Sequence, residues 1–187
     1  LSGYRKLRRV DLESLSKLES VNLSNCTALK YFYGINGFSD IYNRTKIKKI
    51  NLSGCIELED LKLSGLDTLE SINLSGCTEL LEIDLGGKTI TKLDLSNFTK
   101  LIKLKLFCEN LTNLNLQGCN ELTEISLRGC YAITDSDLSI CTNLKSVSFK
   151  YCEKLKTANL SGCSELIGID LTGCDSIMDL NLSGCSK

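Results

Sequence analysis

The chain has 187 residues, 42% of them hydrophobic, 22 Lys plus Arg against 23 Asp plus Glu, and a formal net charge of −1. That balance excludes a general attraction for nucleic acid or an anionic membrane surface, and no apolar run approaches the ~18 residues of a membrane-spanning helix. His, Pro and Trp are absent, which removes the commonest general base, the commonest metal ligand and the usual turn former.

The elements repeat almost from end to end. Units begin at Tyr4, Leu15 and Cys26, then, after an insertion at Gly37 to Asn43, at Arg44, Cys55, Leu66, Cys77, Gly87 and Phe98. They continue from Cys108 through Cys119, Cys130, Cys141, Cys152 and Cys163 to Cys174, sixteen in all. The shared pattern is C-x-x-L-x-x-L-x-L-x-G, eleven residues long, with ten-residue versions at Cys77 and Phe98. The first Leu slot is always aliphatic, the second is polar only at Ser136, and the third is empty only at Gly34. The L-x-L step has period two, so it predicts a short strand with both side chains turned inward, closed by a Gly, Asn or Ser turn.

One unit extends to roughly 36 Å, whereas two strands and two crossings between facing layers need on the order of 40 Å before any Leu is fitted inside. The expected fold is therefore a β-rich solenoid with about 22 residues per coil, each coil made of two 11-residue half-coils, with parallel strands on two faces.

Alternate units support this. One set places Asn22, Asn51, Asn73, Asp94, Asn115, Asp137, Asn159 and Asn181 between its last two apolar slots, each followed two residues on by Ser or, once, Gln117. The other set varies at the same places. One face should be monotonous and structural; the other should be free to recognise something.

With its L-x-x-L-x-L-x-G-C pattern the chain resembles the leucine-rich-repeat superfamily over nearly its whole length. The nested ten-to-eleven-residue period is similar to that of short bacterial repeats of the internalin-like, doubled type. Leu-Ser-Gly-Cys, as at Leu52 to Cys55, resembles plant immune-receptor repeats, although those carry Pro and this chain has none. Cys130 to Leu138 is similar to the cysteine-containing repeats of F-box adaptors. The resemblance implies a curved solenoid that binds proteins through exposed strand residues.

All 11 Cys fall in one slot of the repeat. Identical neighbourhoods without His argue against a catalytic thiol, and spacings of ten or more argue against a zinc site. The thiols are expected to be free, buried packing residues, stacked as Cys108, Cys130, Cys152 and Cys174 on one side and Cys119, Cys141, Cys163 and Cys185 on the other. Free thiols and nine Asn-x-Ser/Thr sequences favour a cytoplasmic protein, with a bacterial surface or secreted location as the alternative. Because the chain starts on Leu1, it is read as one solenoid out of a longer protein with further domains.

The expected function is protein–protein recognition, without enzymatic activity, metal or cofactor; the alternative is a spacer or adhesin stalk. The partner is expected to be another protein, not nucleic acid or membrane. Candidate contact residues on the varied face are Asp60, Lys62, Glu82, Asp84, Lys103 and Lys105, with Phe107, Glu124, Arg128 and Lys150 toward the C-terminal side. Phe107 is the expected centre, and the small Gly86 beside it is expected to leave room for a partner side chain. Tyr31, Tyr33, Phe38 and Tyr42 around the insertion are expected to extend the patch.

Overall fold

A computed structural model of the chain describes residues 1–12, 15–34 and 46–185. Each unit forms one strand. In chain order these are β1 (Arg9–Asp11), β2 (Ser20–Asn22), β3 (Tyr31–Tyr33), β4 (Lys49–Asn51), β5 (Asp60–Leu63), β6 (Ser71–Asn73), β7 (Glu82–Gly86) and β8 (Lys92–Asp94). They are followed by β9 (Lys103–Phe107), β10 (Asn113–Asn115), β11 (Glu124–Ser126), β12 (Asp135–Asp137), β13 (Ser146–Ser148), β14 (Thr157–Asn159), β15 (Gly168–Asp170) and β16 (Asp179–Asn181). There is no helix among the described residues.

Strands pair with the next but one, always parallel. The odd strands form one continuous eight-stranded sheet, β1-β3-β5-β7-β9-β11-β13-β15. Its register carries Glu82 onto Lys103, Lys103 onto Glu124 and Glu124 onto Ser146, so a coil contains two units, as the spacing predicts. Ten-residue units shorten the turns after β7 and β9, and those two strands pair over five residues, through Leu85 with Leu106 and Gly86 with Phe107.

The even strands form three separate sheets, β2-β4-β6, β8-β10 and β12-β14-β16. Coils on this side part at two seams, β6/β8 and β10/β12. An open cleft of about 610 Å³ lies in the first seam, with Leu74, Leu93 and Phe98 among its lining residues.

Leucines of both half-coils meet in one core, in which Leu58, Leu61, Leu63, Leu80, Leu104 and Leu127 are fully buried. The empty slot at Gly34 is filled from the next coil: a Cβ there would lie 3.1 Å from Leu63 Cδ2. Ser136, the polar exception, is buried within β12. The insertion at Gly37 to Asn43, with Phe38 and Tyr42, lies outside the described residues.

Candidate functional site: the eight-stranded face

The two outer faces use their polar side chains differently. On the even face every Asn or Asp of the repeated row accepts, through Oδ1, the backbone N–H two residues on, from Asn22 with Ser24 to Asn181 with Ser183, at 3.0–3.1 Å. This is the Asx turn, in which a short polar side chain stands in for a backbone carbonyl. Rungs join some coils, as Asn115 Nδ2 donates to Asp94 and Asn159 Nδ2 to Asp137, both at 3.0 Å. These bonds hold the Asp94 and Asp137 carboxyls below the usual range, chiefly through the backbone N–H of Ser96 and the hydroxyl of Ser139. The monotony of this face therefore has a structural cause.

At the corners the cysteines do more than fill space. Leu52 O accepts the Cys55 N–H of its own turn and the Cys77 thiol of the next coil, each at 3.1 Å. Leu127 O does the same for Cys130 N–H and the Cys152 thiol, both at 3.0 Å. All eleven thiols are free, and ten are buried. Burial above all pushes Cys77, Cys108, Cys141 and Cys152 from 9 up to about 12, and Cys55, Cys119, Cys130 and Cys163 up to about 11. A thiol held protonated is a poor nucleophile and metal ligand, and no group of three His, Cys, Asp or Glu suited to a metal occurs among the described residues. The sequence reading anticipated buried thiols, but the second hydrogen bond to the corner carbonyl is visible only once the coils are stacked.

Leucines recurring twice per coil on parallel strands, with cysteine ladders at both corners, decide the architecture. The chain is a parallel-strand β-solenoid built of leucine-rich units, two to a coil. Among solved structures it is similar to a leucine-rich repeat protein from Bacteroides ovatus, at 18% identity and a TM-score of 0.36, over 100% of this chain and 67% of that one. No protein-family model and no curated protein matches the sequence.

On the odd face of this solenoid the outward residues change from strand to strand. Its N-terminal half holds a bonded cluster around Asp60, whose Oδ2 is engaged while its Oδ1 is buried without a hydrogen-bond partner among the described residues. Tyr33 donates its hydroxyl to Asp60 Oδ2 at 2.9 Å and lies 4.8 Å under the Arg9 guanidinium. Lys62 bonds the same carboxylate oxygen at 2.8 Å and comes within 3.9 Å of Glu82. Tyr31 is exposed beside Tyr33, ring centroids 6.3 Å apart. Burial raises the Asp84 carboxyl against the opposing effect of Lys105 and the Ser64 hydroxyl.

The C-terminal half differs. Lys103 and Glu124 pair at 3.3 Å. Lys105, Arg128 and Lys150 make no ion pair within 4.0 Å among the described residues. Small side chains at Ser126, Ser146, Ser148 and Gly168 leave a shallow trough of about 350 Å³ beside Lys105.

Phe107, at the end of the strand that carries Lys105, is 37% exposed. Its ring leans over the next coil, where a Cβ on Gly129 would fall 2.4 Å from Phe107 Cε2. The expectation that Gly86 leaves room for a partner is corrected: a Cβ there would sit 2.3 Å from Ser64 O. The space is filled by backbone, and Gly86 is glycine because the chains approach closely.

Sequence reasoning missed Tyr151. It is 40% exposed, with φ of +64°, and occupies the turn position held by Gly129 and Gly173 in the coils on either side. Arg128 and Lys150 lie 5.7 and 5.3 Å from its ring centre. The available signal was a bulky aromatic where the repeat carries glycine.

Proposed function

We propose that this solenoid is a protein-recognition module and that the odd face is its recognition surface. Leucine-rich-repeat solenoids commonly serve as protein-interaction scaffolds. One observation carries the reading for this chain. The repeated polar row of the even face is committed to its own turns, whereas residues at the same places on the odd face differ in charge, size and shape from coil to coil. Such variation labels each coil separately, as recognition of an irregular protein surface requires. Phe107 and the cations beside it supply the exposed aromatic and basic groups that typically anchor interfaces.

A photo-crosslinking amino acid placed at Phe107, and separately at Asn159, tests the choice of face. A discrete protein adduct from position 107 and none from position 159 is expected. With that partner in hand, Phe107→Ala combined with Lys105→Glu should weaken binding at least tenfold, about 1.4 kcal/mol. Asn115→Ala combined with Ser139→Ala should leave affinity within twofold. Adducts confined to position 159, or damage confined to the second pair, would place recognition on the other face. Absence of adducts at both positions would favour a spacer.

A further inference from the structure

Tyr151 adopts a left-handed backbone conformation that glycine enters without penalty and that a bulky L-residue rarely adopts. Gly129 and Gly173 take that position in the adjacent coils, with φ of +73° and +75°. Tyr151 is 40% exposed, and its ring lies over Gly173, where an added Cβ would fall 2.7 Å from Tyr151 Cδ1. A bulky residue held against its local backbone preference, with part of its ring exposed beside two cations, points to a role outside folding.

Its surroundings indicate what it meets. The Arg128 guanidinium and the Lys150 ammonium both lie against the ring, which holds two cations on one surface. Phe107 lies two coils before it on the same edge, and Lys105 belongs to the Phe107 strand. The nearby carboxylates are engaged: Asp84, opposite Lys105 in the register, bonds the Ser64 hydroxyl and feels the charge of Lys105, Glu124 pairs with Lys103 at 3.3 Å, and Asp170 accepts the Thr172 backbone N–H at 3.0 Å while it feels the charge of Lys150. Three coils thus present Lys105, Arg128 and Lys150 without a carboxylate in ion-pair contact among the described residues, framed by two exposed rings.

Resting on the recognition reading above, we propose that Phe107, Arg128, Lys150 and Tyr151 form the anchor of the odd face and that its ligand is an acidic segment of a partner protein carrying an apolar or aromatic side chain. The rings take the apolar side chain, and the ring-bound cations take the carboxylates.

A random dodecapeptide library displayed on phage and selected against the intact chain supplies the probe. Recovered peptides should be enriched in Asp and Glu next to Phe, Trp, Tyr or Leu. The best of them, synthesised with a fluorophore, should bind more weakly as salt is raised. Arg128→Glu with Lys150→Glu should weaken its binding at least tenfold. Lys49→Glu with Lys92→Glu, the same change of net charge on the even face, should leave it within twofold. Tyr151→Gly should weaken binding at least fivefold while the unfolding midpoint stays level or rises, a combination that a purely structural tyrosine would not give.

Peptides without acidic enrichment, no recovered peptides, or unchanged binding in Tyr151→Gly would overturn this inference. So would tighter binding of a single-stranded oligonucleotide than of the peptide. If peptides are not acidic but crosslinking still maps to position 107, the recognition face stands and only the acidic ligand falls. Binding lost through Asn115→Ala with Ser139→Ala would remove both.

Discussion

Two residue types repeat because each solves a recurring backbone problem, cysteine at the corners and Asn or Asp in the turns of the even half-coils. A corner carbonyl has two lone pairs and lies inside the coil, where an unmet acceptor is costly. The turn N–H takes one and the thiol of the next coil takes the other. Cys152→Ala should therefore lose a hydrogen bond and leave a small void, costing about 1–2 kcal/mol in denaturant unfolding. A change below about 0.3 kcal/mol would show that the thiol is idle.

The same ladders set an alkaline limit. Burial raises the folded-state thiol pKa above the unfolded value near 9, so the folded state retains protons that the unfolded state releases. The thiols' contribution is fully present below pH 9 and is lost as pH rises toward 11–12. Unfolding midpoints should fall between pH 8.5 and 10.5, an interval chosen about the unfolded thiol value; a flat or rising profile there would contradict the buried-thiol account. On the even face, Asn159→Ala should cost about 1 kcal/mol by releasing the Ser161 turn and the rung to Asp137, whereas Asp137→Asn keeps an oxygen in place and should be nearly neutral.

At the scale of elements, strands of three to five residues are too short to persist alone, and each depends on its neighbours in the stack. Leu116, buried at the inner end of the β10 half-coil, should cost about 2–5 kcal/mol when changed to alanine. The seams break the zipper on one side only. Leu52 N–H donates to Asn73 O and Leu95 N–H to Asn115 O, each at 2.9 Å, but Leu74 N–H has no corresponding bond across the β6/β8 seam. Hydrogen exchange followed by NMR should find Leu74 and Leu116 amides exchanging faster than those of Leu52 and Leu95. Equal protection at all four would mean that the seams close in solution.

Taken as a whole, the molecule is a one-dimensional stack in which each coil is supported by its neighbours, with structural chemistry on one side and variable chemistry on the other. The solenoid, its two-unit coil and the buried Cys and Leu slots were legible in the sequence, because period two along a strand and period eleven between turns are local signals repeated sixteen times. Repetition also separated the Asn row from the varied row. Other features depended on what neighbouring coils place beside a residue. Spacing named Lys62, Asp60 and Tyr33 as partner contacts without showing that Tyr33 bonds Asp60 across strands and Lys62 bonds it within the strand. It read Gly86 as open space, although Ser64 in the preceding coil fills that space. Tyr151 was passed over although it fills a glycine slot of the repeat; that Arg128 of the preceding coil lies against its ring appears only when the coils are stacked. Side-chain period determined which residues turn inward; stacking decided which of the outward ones are already spent on their neighbours and which are not.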